Sequence, residues 1–123
     1  MKILVVEDEP TLSTALVDKF TAEQFTVLTA KNGQEGLEAA LKEHPDLILL
    51  DIVMPVMDGM SMLVALRKEE WGKTAKVMLL TNLSDPHKMS ESIAQDAAGY
   101  LIKSDWKLED LVAEVKRKIS EKV

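Results

Sequence analysis

Three aliphatic runs, Ile3–Val6, Leu47–Leu50 and Val77–Leu80, are unbroken by polar residues. Strands covered on both faces read this way, because each side chain enters a core whichever face it takes. Two weaker runs, Phe25–Thr29 and Tyr100–Ile102, are shorter or interrupted by Thr, and suit the edges of the same sheet. Between the runs the apolar spacing changes to three and four residues. Leu12, Ala15, Leu16 and Phe20 share one helical face, with Pro10 suited to the first turn and Asp8 or Glu9 to the cap. Leu37, Ala40 and Leu41 repeat the pattern between Asn32 and Pro45. Met62, Leu63 and Leu66 follow Asp58-Gly59, with Arg67 and Lys68 in the last turn and Gly72 as the stop signal. A fourth, less apolar helix is predicted from Asp85-Pro86 to about Gln95. The last helix aligns Leu108, Leu111, Val112, Val115 and Ile119, with acids early and Lys116, Arg117 and Lys118 late.

The order is five repeats of strand then helix with no linker, so one domain over residues 1–123 is predicted. Right-handed crossovers turn such repeats into an α/β fold, a parallel doubly wound (βα)5 sheet with helices on both faces. Its expected strand order is 2-1-3-4-5, and ligands then gather at the carboxyl ends of the first and third strands, where the order reverses.

Composition narrows the function. The 123 residues hold 15 basic and 21 acidic side chains, a net charge of −6, and no cysteine. Absent cysteine removes disulfides, thiolate metal sites and Cys nucleophiles. The negative charge and the lack of a basic stripe argue against direct nucleic-acid binding. No apolar run approaches the ~18 residues of a membrane span, and no signal segment opens the chain, so a cytoplasmic protein is expected.

The polar residues at the predicted strand ends carry the chemistry. The first strand ends in Glu7-Asp8-Glu9, the third in Asp51, the fourth in Thr81 and the fifth in Lys103. Glu7, Asp8 and Asp51 at close quarters repel one another unless a cation neutralises them. Oxygen ligands without His or Cys suit a hard ion such as Mg²⁺, which commonly bridges carboxylates and phosphate oxygens. Lys103 adds a positive charge and Thr81 a hydroxyl donor. Together they describe a phosphoryl site in which a carboxylate can be the nucleophile.

On these residues the whole chain resembles the receiver domain of two-component response regulators, a flavodoxin-like fold. The resemblance rests on Glu7-Asp8, on Asp51-Ile52-Val53-Met54-Pro55-Val56-Met57-Asp58-Gly59, on Thr81 and on Tyr100-Leu101-Ile102-Lys103. It implies that Asp51 is the phosphoacceptor, that Glu7, Asp8, Asp51 and the backbone carbonyl of Val53 hold Mg²⁺, and that Lys103 pairs with the phosphoryl group. Thr81 and Tyr100 would be the switch that remodels a face made by the fourth helix, the fifth strand and the last helix. The donor would be a sensor histidine kinase or a histidine phosphotransfer protein, and the output a downstream protein bound at that face or onward transfer in a phosphorelay. The resemblance describes a stand-alone signalling module rather than a turnover enzyme, without output domain or organic cofactor, monomeric or weakly dimeric when phosphorylated.

The chain departs from the family pattern at three positions around the switch and the last elements. Ser104 replaces the usual proline after the lysine, Asn82 is bulkier than the usual small residue after the switch hydroxyl, and Asp96 stands at the usual glycine. Val53 and Leu83, each two residues beyond a site residue, are apolar where a hydrolytic water would pass, so slow autodephosphorylation is expected. Pro55 and Asp58-Gly59 are assigned to shaping the loop, His44 and His87 to the surface, and Met54, Met57, Met60 and Met62 to packing. Trp106 either covers the start of the last helix or anchors a partner. Two other functions fit these residues less well. A phosphatase with an Asp nucleophile would need a second Asp where Val53 stands. A flavodoxin-like cofactor binder would need a Gly, Ser or Thr loop where Glu7-Asp8-Glu9-Pro10 would repel phosphate.

Overall fold

The computed structural model describes residues 1–52, 54–81, 99–102 and 107–120, with Thr81 and residues 99–102 described by backbone path alone. Five parallel strands form one sheet in the order β2-β1-β3-β4-β5, with β1 at Lys2–Val6, β2 at Thr26–Ala30, β3 at Leu47–Asp51, β4 at Val77–Thr81 and β5 at Gly99–Ile102. The weak runs take the edges. β2 is buried fully only at Ala30, whereas every residue of β3 is buried.

Alternation across the pleat sends each continuous run into two cores. Leu4, Val6, Ile48, Leu50, Val77 and Leu79 face Ala40 of helix α2 (Gly33–Glu43) and Met62, Leu63 and Leu66 of helix α3 (Gly59–Arg67). Ile3, Val5, Leu47, Leu49, Met78 and Leu80 face Leu16 and Phe20 of helix α1 (Pro10–Ala22) and Leu111, Val112 and Val115 of the last helix, α4 (Leu108–Ser120). Removing either set from water supplies the hydrophobic stabilisation of that layer. The helix predicted from Asp85-Pro86 to Gln95, with Asp96, lies outside the described residues.

One cap and one helix boundary qualify the sequence reading. Glu9 occupies the N-cap of α1, but no side chain caps the helix, because Pro10 at the first position already removes one N–H that would need an acceptor. Gly72 does not end α3. The helix stops at Lys68, and Gly72 lies in a short 3₁₀ turn, Trp71–Lys73, with its α-carbon against the Leu66 carbonyl. Arg67 fixes this connection by donating to the carbonyls of Gly72 at 2.6 Å and Ala75 at 2.7 Å.

Met54, Met60 and Met62 are buried, as packing residues should be. His44 is exposed, yet its ring stacks on Trp71 with centroids 4.5 Å apart and planes 8° from parallel.

Candidate functional site

The sheet delivers two acids to its carboxyl edge. Glu7 directly follows β1 and Asp51 is the last residue of β3, and these strands are neighbours in register up to Val6 opposite Leu50. The side chains of Glu7, Asp8 and Asp51 each offer an oxygen, all within 4.8 Å of one another. Glu7 is 3% exposed and Asp51 5%, while Asp8 is open to solvent. A buried floor with one exposed acid leaves a face through which an ion or a phosphoryl group enters.

The surroundings hold this arrangement. The Glu7 amide donates to the Ala30 carbonyl at 3.0 Å, which ties the end of β1 to β2, and the Glu7 carboxylate accepts from the Glu9 amide at 3.1 Å. Beyond Asp51, Gly59 packs so closely that a Cβ there would overlap the Asp51 carbonyl oxygen, while its amide donates to the Ile52 carbonyl at 2.8 Å. Asp58 caps α3 by accepting from the Ser61 amide at 2.7 Å. Thus Asp58-Gly59 shape the loop, as the sequence reading assigned.

Between Ile52 and Gly59 the loop turns sharply. The Met57 amide donates to the Pro55 carbonyl at 2.7 Å, a three-residue turn centred on Val56, whose φ is 68°. The Met57 carbonyl then accepts from the Gly33 amide at 2.8 Å, and Gly33 itself leaves no room for a Cβ against that loop. The loop after the acid is therefore fastened to the start of α2 as well as to α3.

Three oxygen donors at this spacing, one of them solvent-facing, fit Mg²⁺, which keeps several waters and prefers few protein carboxylates. The backbone path brings Thr81, opposite Ile102, onto the same edge. Val53, Leu83, Asn82, Lys103, Ser104 and Trp106 lie outside the described residues, as do the side chains of Thr81 and Tyr100. Lys31 and the hydroxyls of Ser13, Thr14 and Thr29, which share a pocket with Glu7 and Asp8, were not singled out from the sequence. The available signal was position alone, since Lys31 directly follows β2.

Among solved structures, the chemotaxis protein CheY4 of Vibrio cholerae superposes with a TM-score of 0.87 at 31% identity, covering 94% of this chain and 96% of that one. The signal receiver domain of a signal transduction histidine kinase from Syntrophus aciditrophicus gives a TM-score of 0.86 at 34% identity, covering 97% and 89%. The response regulator ArlR of Staphylococcus aureus is 30% identical over 115 residues, 94% of this chain and 51% of its own. The chain thus spans about half the length of the curated relatives it matches. Residues 3–116 match the response regulator receiver domain, and the chain belongs to that family of two-component signalling modules.

Proposed function

We propose that the protein accepts a phosphoryl group on Asp51 from a phosphohistidine of a partner kinase or phosphotransfer protein, and signals through the phosphorylated state. The observation that carries this reading is the meeting of Glu7, Asp8 and the 5% exposed Asp51 within 4.8 Å at the carboxyl edge of a receiver fold. An Asp51 carboxylate oxygen attacks phosphorus, the phosphorus–nitrogen bond to the donor imidazole breaks, and that nitrogen takes a proton from solvent. Burial keeps Asp51 in one orientation, and the β3–α3 connection holds its backbone, so little rearrangement precedes attack. Glu7, Asp8, Asp51 and the Val53 carbonyl would hold Mg²⁺, which neutralises charge on the transferring group when bound.

Lys103 is assigned to the phosphoryl group, Thr81 and Tyr100 to the switch, and Val53 and Leu83 to a long phosphoprotein lifetime. The proposed output surface is the face of the fourth predicted helix, β5 and α4, and it binds a protein rather than nucleic acid. No helix among the described residues is long and apolar enough to cross a membrane, in keeping with a cytoplasmic site of action. Stand-alone action is part of the proposal, although the matched curated relatives are about twice as long.

Intact mass after incubation with phosphoramidate tests the reading. One phosphoryl adduct is expected with Mg²⁺, and none with a chelator or in Asp51→Asn. An adduct that persists in Asp51→Asn, or no adduct on a folded, Mg²⁺-binding protein, would overturn it.

A further inference from the structure

Beside the acidic cluster, between α1 and the ends of β1 and β2, opens a pocket of about 230 Å³. Glu7 and Asp8 form its acidic wall, Ser13, Thr14 and Thr29 add hydroxyls, and Lys31 is its cation. The strand register fixes that pairing. Val6 lies opposite Ala30 and the Glu7 amide bonds the Ala30 carbonyl, so Lys31 stands next to Glu7 one step further along the sheet. Adjacent strands run ~4.8 Å apart, and the two backbones are close for that reason alone.

Lys31 is also held at its base. Its amide donates to the Glu35 carboxylate at 3.2 Å, and Asn32 caps α2 by accepting from the Glu35 amide at 2.9 Å. Its ammonium forms no ion pair among the described residues. The chain therefore places an exposed positive charge at the wall of a pocket whose facing wall carries two of the three clustered acids.

We propose that Lys31 is a built-in counter-charge of the acidic site, which stabilises the metal-free cluster and sets its affinity for divalent cations. The proposal rests on the reading of Glu7, Asp8 and Asp51 as a cation site. In the metal-free protein the ammonium attracts the clustered carboxylates, of which Glu7 and Asp8 share its pocket. Once a dication binds, the charge of the three-carboxylate cluster falls from −3 to −1, so the attraction weakens and the ammonium repels the added dication. One group thus acts with opposite sign on two measurable equilibria, which a merely structural lysine would not do. The interaction crosses a wet pocket, so it corresponds to a roughly three- to ten-fold change in dissociation constant at low salt, and less at high salt.

The test titrates the full chain with Mg²⁺ by calorimetry, following the amide resonances of residues 7–9, at low and high ionic strength. Lys31→Ala is expected to bind Mg²⁺ about three- to ten-fold more tightly and Lys31→Glu more tightly still, with both differences shrinking in salt. Urea midpoints without metal are expected to fall in the same order. Lys42→Ala, which removes the same charge from the last turn of α2, controls for net charge and should leave the dissociation constant within about two-fold. Equal affinities for wild type and both Lys31 variants, or an equal shift from Lys42→Ala, would overturn the proposal. Failure of the wild type to bind Mg²⁺ saturably would instead overturn the cation site itself. The metal-free midpoints then decide whether Lys31 neutralises the acids: unchanged midpoints reject it.

Discussion

Among the described residues, left-handed backbone falls on Gln24, His44 and Val56, whereas no glycine has a positive φ. The glycines serve a different need: at 33, 36, 59 and 72 a Cβ would strike backbone or a packed side chain. Val56 is the least comfortable of the three, because a β-branched side chain in this region crowds its own carbonyl, and it is 84% exposed with no core contact in return. Val56→Asn should therefore raise stability by about 1 kcal/mol, read as a higher urea midpoint. Val56→Gly should gain less, since glycine also loosens the unfolded chain. Gly59→Ala should lose about 1–3 kcal/mol and slow labelling of Asp51, because the added methyl displaces the Asp51 carbonyl. Equal midpoints in all three would refute this division between strain and space. Legibility in the sequence follows the same division. Glu7 and Asp51 stand out because each ends a run of aliphatic residues, so the change of polarity marks them. Lys31 follows a weak edge strand broken by Thr, where no contrast signals that it faces an acid. Gly59 could be read as a loop former, but contact with the Asp51 carbonyl is a tertiary fact that no local pattern encodes.

Helix ends show where element-level reading succeeds and where it stops. Asn32 and Asp58 cap α2 and α3 as their side chains predict. The end of α1 is a two-bond stop, with the Phe25 amide on the Phe20 carbonyl and the Gln24 amide on the Thr21 carbonyl, both at 3.0 Å. Gln24 takes the position usually given to glycine, so no residue announced it, and Phe25 instead locks the turn by meeting Phe20 edge-on at 5.2 Å. The continuous strands were legible because burial on both faces leaves no polar position, and each strand differs from its predicted run only by a residue at an end. Between elements, charge pairs fasten α4 to α1. The Lys116 ammonium lies 2.8 Å from Glu23, hydrogen-bonding its carboxylate and holding it below the ordinary 4.5. Arg117 likewise lowers Glu114 within α4. A lowered carboxylate contributes stability above its ordinary value, and loses it as pH falls through the lower value of the folded state. Lys116→Ala should accordingly lower the urea midpoint at neutral pH, by a small amount because the pair is exposed, and the difference from wild type should fade as pH drops below the ordinary 4.5 and through the lower folded-state value. A difference that persisted at the acid end would show that Lys116 acts through packing.

Among the described residues, the two ends of the sheet are built differently. Glu7, Asp8 and Asp51 sit at the carboxyl edge of the sheet. At the opposite edge the Lys76 ammonium, just before β4, donates to the last-turn carbonyls of Lys118 and Ile119 at 2.7 and 2.9 Å. Lys76 thereby satisfies the C-terminal end of α4, where a cation also meets the negative pole of the helix. The sheet thus joins a well-satisfied base to an acidic rim that folding brings together against its own repulsion. Such a rim gains most from a cation, and stability becomes a readout of the site. At a hundred times its dissociation constant, a ligand that binds only the folded state adds about 2.7 kcal/mol. Mg²⁺ should therefore raise the urea midpoint of the wild type. Asp51→Asn removes one charge from the rim and one ligand from the ion, so it should be the more stable protein in chelator, by about 1–2 kcal/mol, and gain less from Mg²⁺. The ranking of the two proteins should narrow or reverse as Mg²⁺ is added. If Asp51→Asn is the less stable protein in chelator, the bonds made by Asp51 outweigh the repulsion, and the site is held together without an ion.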